Sequence, residues 1–151
     1  MSARKLGVLG LCLALLPVAA SAGDECRFYT YKAQITQVYD GDTVTADIDL
    51  GFHIWVRGEK LRLYGIDTPE MRSNAAHKVD AAEKFRAVAA KNALSNLILN
   101  KDVILCTLKD KKGKYGRYLA KITTLDGVDV NEWMIEQGHA KPYMREAAAL
   151  N

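Results

Sequence analysis

Two short acidic segments of the sequence supply oxygen ligands for a hard cation. Asp42 lies in the segment Asp40-Gly41-Asp42-Thr43, and Asp67 begins Asp67-Thr68-Pro69-Glu70. Both aspartates are expected at strand ends. The residue before Pro69 is pushed into an extended conformation, which leaves the Thr68 carbonyl free to face the same ion. Because calcium prefers carboxylate and carbonyl oxygens, the sequence predicts a calcium site at Asp42, Asp67 and Thr68.

Three further side chains suit the hydrolysis of a phosphodiester. Glu70 lies three residues beyond Asp67, across a rigid proline, where it can hold a water beside the metal and accept its proton. Arg62 and Arg117 each offer a planar, permanently charged fork that grips phosphate oxygens and stabilises negative charge in a transition state. With the metal ligands, these residues predict metal-assisted phosphodiester hydrolysis.

Each of these segments, taken alone, also has a purely structural interpretation. Asp40-Gly41 is a turn dipeptide, and Thr68-Pro69-Glu70 is typical of a helix start. Lys114-Tyr115-Gly116-Arg117 is equally a charged hairpin loop. Only the combination of the three segments favours catalysis.

Several other sites are excluded by residue type or spacing. An EF-hand over Asp40–Asp49 is excluded because the sixth position of that loop requires glycine and is Thr45 here. Zinc lacks a Cys/His cluster, so the three histidines are predicted to be surface residues: His53, His77 and His139. The sequence has neither a glycine-rich phosphate loop nor a Gly-x-Ser-x-Gly elbow.

Alternation of apolar and polar residues predicts five strands that position these side chains. In the second strand, Val44, Ala46, Ile48 and Leu50 are expected to face the core and the intervening residues to face solvent. Gly51 and Gly58 are expected to bound the next connection, and residues 109–114 to form a charged loop. The predicted strands are Tyr29–Tyr39, Thr43–Leu50, Lys60–Ile66, Lys101–Leu108 and Arg117–Thr124.

Two helices are predicted, at Ala81–Leu99 and Val130–Gln137. Asp80 and Glu83 form a capping box before the first, and Asp129 opens the second, which Gly138 stops. The predicted core face of the longer helix comprises Ala82, Phe85, Ala89, Ala93 and Leu97. Five short strands with inserted or appended helices indicate a mainly β, α+β fold, a small barrel with helices at its edges.

Composition and the N-terminal segment indicate one exported domain. The chain has 151 residues, of which 49% are apolar and 26% charged, as in a foldable globular domain. Arg4 and Lys5 precede an apolar run over Leu6–Ala20, and Ala20-Ser21-Ala22 is a small-x-small cleavage signature. The run is too short for a membrane anchor, which needs about 20 apolar residues. We expect a signal peptide over residues 1–22, a single domain over 23–151, and a periplasmic or extracellular protein without stable membrane association.

Removal of the signal peptide lowers the formal net charge of +3 by two. The mature chain is therefore not globally basic, so binding to a polyanion must depend on local clusters of charge. Cleavage also removes Cys12 and leaves Cys26 and Cys106 in a compartment that permits disulfides. Two unpaired thiols remain the alternative, since Cys106 alternates with apolar residues and suits a small core position.

The order of these motifs resembles the staphylococcal nuclease (thermonuclease) family. The resemblance covers about Tyr31 to Tyr143 and rests on ordered segments at compatible separations: Asp40–Thr43, Arg62–Glu70, Lys114–Arg117 and Val130–Glu132. It implies a five-stranded OB-fold barrel with two or three helices. It also implies a monomeric, calcium-dependent endonuclease that acts on DNA and RNA and leaves 3′-phosphate ends.

The resemblance assigns roles to particular residues. The family's metal ligands fall on Asp42, Asp67 and Thr68, its phosphate-binding arginines on Arg62 and Arg117, and its general base on Glu70. Lys114 and Tyr115 match positions that contact a terminal nucleotide phosphate. Tyr143 is the one candidate for base stacking where the family has paired tyrosines. Asn131 and Glu132 match a helix start that we expect to be structural.

The chain differs from the family in two segments, and a rival function remains to be considered. The segment Gly51–Glu59 is longer than the family's short turn, and the chain ends at Asn151, soon after Tyr143. The resembling fold brings the strand that contains Cys106 close to the start of the chain, which favours a disulfide with Cys26. The rival function is a non-catalytic OB-fold module that binds nucleic acid or protein without cutting it.

Overall fold

The structure, a computed structural model, describes residues 29–73, 75, 77–112 and 117–143. The predicted signal peptide, Cys26, Lys114 and Tyr115 lie outside these residues. Within them the chain forms seven strands and two helices. In chain order these are β1 (Thr30–Val38), β2 (Thr43–Asp49), β3 (Trp55–Leu63), β4 (Ile66–Asp67), α1 (Ala81–Ile98), β5 (Asp102–Lys112), β6 (Tyr118–Thr124), α2 (Val130–Glu136) and β7 (Lys141–Pro142).

Five of the strands close into a barrel, which confirms the predicted architecture. Their order is β1-β2-β3-β6-β5, and β5 returns to pair with β1. Every pairing in the barrel is antiparallel except β3 with β6, which run parallel where Leu61–Leu63 face Tyr118–Ala120. The short strands β4 and β7 form a separate antiparallel pair beside the barrel. The fold is thus the five-stranded α+β barrel that the motifs and the resemblance predict.

The barrel interior is filled by the alternate residues of its strands. In β2 the predicted core residues Val44, Ala46 and Ile48 are buried, whereas Leu50 is exposed because it already lies in the turn after the strand. Leu94 and Ile98 of α1 and Met134 of α2 join the same core. The core therefore fastens both helices to the barrel that carries the site.

The buried face of α1 differs from the predicted one. The predicted core face of Ala82, Phe85, Ala89, Ala93 and Leu97 is wrong, because none of these five is fully buried and Phe85 is 77% exposed. The helix instead buries Ala87, Ala90, Leu94 and Ile98. Alanines occur on all sides of this helix, so apolar spacing alone fits more than one stripe. The contacts of Leu94 and Ile98 with the barrel decide which face of α1 is buried.

The starts and ends of both helices follow the predicted signals. The Asp80 carboxylate accepts a hydrogen bond of 2.6 Å from the Glu83 backbone, and Asp129 accepts one of 3.0 Å from Glu132. Gly138 adopts a left-handed φ of 72° just beyond α2, as a helix-stopping glycine does. Neither described helix is both long and apolar enough to cross a membrane.

Two strand boundaries also differ from the predictions. β3 begins at Trp55, so Gly58 lies inside the strand rather than at the end of the connection. Gly58 has a positive φ of 66°, and its N–H donates to Asp47 across an irregularity in the β2–β3 register. Glycine in that conformation is typical of a bulge. β5 likewise continues to Lys112, into the segment predicted as a charged loop.

Candidate active site

The predicted metal ligands and one of the arginines come from three adjacent strand ends. Asp42 directly precedes β2, and Arg62 lies near the end of β3, where it pairs with Thr43 across the sheet. Two residues of turn after β3 lead into β4, which ends at Asp67. The barrel therefore brings together residues that are up to 25 positions apart in the chain.

Arg62 bridges the two predicted metal carboxylates. Its Nη1 donates to Asp42 Oδ1 at 2.9 Å, and its Nη2 donates to Asp67 Oδ1 at 2.9 Å. Both carboxylates thus lie against one planar guanidinium, which confines their oxygens to a small region. The structure brings Asp42 and Asp67 together, and it places Arg62 between them.

Asp42 is a buried carboxylate whose two oxygens are both hydrogen-bonded. Only 3% of the residue is exposed. The Thr43 hydroxyl donates to Oδ1 at 3.1 Å, and the Thr68 backbone N–H donates to Oδ2 at 3.2 Å. Burial raises the pKa of Asp42 to about 6, although the Arg62 guanidinium acts in the opposite direction. A buried carboxylate of this kind is stabilised by added positive charge.

Arg117 reaches the same cluster through a residue that sequence reasoning missed. Its Nη1 donates to the Thr43 hydroxyl at 3.0 Å, and that hydroxyl donates in turn to Asp42. The alternation of β2 predicts Thr43 on the solvent face, yet only 5% of it is exposed. The one signal in the sequence is its position directly after Asp42 in the segment Asp40–Thr43, which we call the acidic turn. Arg62 and Arg117 are therefore both held against the Asp42 end of the site.

Glu70 lies in the segment between β4 and α1, with its side chain exposed. Its backbone N–H donates to the Glu83 carboxylate at 3.4 Å. The His77 Nε2 lies 2.9 Å from both oxygens of the same carboxylate. His77 is exposed, as predicted for the histidines, but it is paired. Glu83, predicted only as part of a capping box, therefore anchors the segment that carries Glu70 to the first turn of α1.

Gly41 allows the acidic turn to approach α1 closely. A Cβ on this residue would lie 2.8 Å from Thr68 Cγ2 and 2.9 Å from Ala90 Cβ. Both distances are shorter than real Cβ contacts, so the turn, the predicted carbonyl ligand Thr68 and the helix pack together only around a glycine. Ala90 is itself fully buried.

Three of the predicted substrate-binding residues remain: Tyr143 is described by the structure, and Lys114 and Tyr115 are not. The Tyr143 N–H donates to the Gly65 carbonyl at 2.9 Å, and its side chain is partly exposed beyond β7. Lys114 and Tyr115 belong to the segment outside the described residues. Asn131 is structural, as predicted, but it does not act as a cap, since Asp129 has that role.

The oxygen donors present suit a hard divalent cation. Asp42 and Asp67 supply two carboxylates within reach of one guanidinium, and Thr68 adjoins both. In the described part of the chain, no three side chains of His, Cys, Asp or Glu gather into a metal-binding group. A cation here would therefore need water and substrate oxygens to complete its shell, as calcium and magnesium sites commonly do.

Comparison with known proteins shows the family to which this chain belongs. A family model for staphylococcal nuclease homologues matches residues 60–150, more than half of the chain. The chain therefore belongs to the staphylococcal nuclease homologue family. It is also 31% identical over 130 residues to an uncharacterized protein of Methanocaldococcus jannaschii, a match that covers 76% of this chain. The chain spans 60% of the length of that relative.

Proposed function

We propose that this protein is a calcium-dependent endonuclease that hydrolyses the phosphodiester bonds of DNA and RNA with little sequence specificity and leaves 3′-phosphate ends. Membership of the nuclease family supports a phosphodiester hydrolase in general. The observation that carries the finer proposal is the bridge from Arg62 to Asp42 and Asp67, at 2.9 Å to each, with Arg117 linked to the same cluster.

Arg62 retains N–H donors for a phosphate. A guanidinium has five N–H groups, and the contacts of Arg62 with the two carboxylates use two of them. The others can grip the oxygens of a phosphodiester and stabilise the charge that develops as the bond breaks. Glu70, an exposed residue three positions after Asp67 in the chain, would take the proton from the attacking water. A bound calcium ion would contribute positive charge to the phosphate and lower the pKa of that water.

The direct test is cleavage of plasmid DNA, single-stranded DNA and RNA with calcium and with chelator. Cleavage that requires calcium and yields 3′-phosphate ends is expected. Asp42→Ala and Asp67→Ala should each lose most of the activity, because each removes a charged oxygen from a site with few. Asp102→Ala serves as the matched control, since Asp102 is an exposed carboxylate outside the pair.

Two outcomes would contradict the proposal. Full activity of either active-site aspartate variant in excess chelator would exclude the metal site. Binding of nucleic acid by the wild-type protein without any cleavage under either condition would favour the non-catalytic binding module.

We further propose that the protein is exported. The basis is the charged and apolar N-terminal sequence ending at Ala20-Ser21-Ala22. Fractionation of producing cells and N-terminal sequencing should find a chain that begins at Gly23 in the periplasm or medium. Retention of residues 1–22 on a membrane-bound protein would contradict export by cleavage.

A further inference from the structure

A groove of about 200 Å³ adjoins Asp67 and Thr68 of the candidate site. Asp67, Thr68 and Pro69 form one wall, and the rest of the lining comes from α1, from the segment between α2 and β7, and from β7 itself. Two cations line the groove, Arg86 of α1 and Lys141 of β7.

The acidic side chains of the groove are already engaged. Asp67 accepts from Arg62 at 2.9 Å, and both Glu83 oxygens lie 2.9 Å from His77. Arg86 and Lys141, by contrast, are exposed and have no ion-pair partner in the described part of the chain. The groove therefore presents two cations without an ion-pair partner in the described residues beside two carboxylates that are already hydrogen-bonded.

The fold fixes both cations relative to the site. Lys141 is the register partner of Asp67 in the β4–β7 pair, so the two residues share one face of that small sheet. Arg86 lies four residues before Ala90, the helix residue that packs against Gly41 and thus against the acidic turn. Four residues, about 6 Å along the helix axis, therefore separate Arg86 from the level of the acidic turn.

From this arrangement we propose that Arg86 and Lys141 bind a phosphate of the polynucleotide that is not the one being cleaved. This inference rests on the proposed nuclease function and adds an extended substrate subsite to it. A backbone that enters the site across Asp67 meets two cations at a fixed distance from the reacting phosphate. Because such contacts recognise phosphate alone, they favour long chains over short ones without reading sequence.

The test compares Arg86→Gln, Lys141→Gln and the double variant with the wild-type protein. Lys84→Gln is the control, because Lys84 is an exposed cation on the same helix, two residues from Arg86 and outside the groove lining. At 3.6 residues per turn, the two side chains point to different sides of the helix. The substrates are a single-stranded 12-mer and a dinucleotide with one phosphodiester.

The ratio of kcat/KM for the 12-mer to that for the dinucleotide should fall about 5-fold or more in each groove variant and stay constant in the control. Binding of the 12-mer in chelator gives a readout that is independent of cleavage. The slope of log Kd against log salt concentration should lose about 0.7 for each phosphate contact removed from a single strand.

The possible failures are distinguishable. If the wild-type protein cleaves neither substrate, the proposed nuclease function fails. If it cleaves both, and the groove variants match Lys84→Gln in the substrate ratio and in the salt slope, the groove does not bind phosphate and this inference is overturned.

Discussion

Arg62 contacts Asp42 and Asp67 at the same time, which the sequence alone does not show. Its spacing from Asp42 and Asp67 is compatible with many arrangements, and the sequence predicts it only as a phosphate-binding fork. The structure places it between both carboxylates, 2.9 Å from each. Part of its role is thus to hold two like charges together at the place where a cation would bind.

This double role makes the guanidinium hard to replace. Arg62→Lys keeps the positive charge but replaces the two donating nitrogens, Nη1 and Nη2, by a single ammonium nitrogen. It therefore cannot contact Asp42 and Asp67 in the same way. We expect Arg62→Lys and Arg117→Lys to remain folded and to lose roughly 10²-fold or more in kcat, as for loss of a pre-organised donor. Steady-state kinetics measures kcat and KM of the two variants, and circular dichroism measures whether they are folded. A rise in KM with unchanged kcat would argue against a role in the transition state.

Substitution of Gly41 tests whether activity depends on the close approach of the acidic turn to Thr68 and α1. Gly41→Ala places a methyl group less than 3 Å from Thr68 Cγ2 and Ala90 Cβ, so the turn or Thr68 must shift. Because a shift of about 1 Å at a catalytic site costs on the order of 10²-fold, activity should fall far more than stability. Thr68→Ser removes one of the crowded methyl groups and should partly restore cleavage when combined with Gly41→Ala. Wild-type activity of Gly41→Ala alone would show that the turn is not constrained there.

At the level of elements, Asn131 joins α2 to two parts of the barrel. Its amide nitrogen donates to the Tyr64 carbonyl at 2.8 Å and to the Ala120 carbonyl at 3.1 Å. Its amide oxygen accepts from the Ile122 N–H at 3.1 Å. Tyr64 lies in the turn that leads from Arg62 to Asp67, so this buried side chain also supports the geometry of the site.

Asn131→Ala should therefore destabilise the protein by about 2–3 kcal/mol, because it leaves buried backbone groups without partners. Glu136→Ala, on the exposed side of the same helix, should change stability by no more than about 0.5 kcal/mol. Denaturant unfolding of the two variants measures the difference. Equal stability of both would mean that water replaces the amide at no cost.

The sequence predicts these elements well where one signal dominates and poorly where several compete. The N-caps Asp80 and Asp129 act locally, so the helix starts are found correctly. The buried face of α1 depends on contacts with the barrel, which no local pattern of alanines contains. In the same way, Gly58 is equally suited to a turn or a bulge, and only its pairing with Asp47 across the sheet decides between them.

At the level of the whole molecule, one covalent link adds to the packing. Cys106 of β5 is disulfide-bonded. The other cysteines of the chain lie outside the described residues, and Cys26 is the partner that we predict. A Cys26–Cys106 bond closes a loop of about 80 residues and is worth at most about 4–5 kcal/mol on the chain-entropy model.

Reductant should therefore lower the melting temperature of the mature protein and leave its activity at moderate temperature unchanged, since neither cysteine belongs to the site. Intact-mass analysis with and without reductant, followed by peptide mapping, identifies the bonded pair. Two free thiols in protein taken from its native compartment would refute the bond.

The parallel contact between β3 and β6 is one of two non-local pairings in the barrel. The β1–β2, β2–β3 and β5–β6 pairs join strands that are neighbours along the chain, whereas β3 meets β6, and β1 meets β5, only after α1 has been traversed. Non-local pairing of this kind forms slowly because loop closure costs entropy before any contact compensates for it. Until it forms, the facing edges of β3 and β6 are open and offer unpaired backbone groups to another chain. The seam beside Arg62 is thus one of the two seams of the barrel that we expect to close late, and there a newly made chain is exposed to pairing with a second copy of itself.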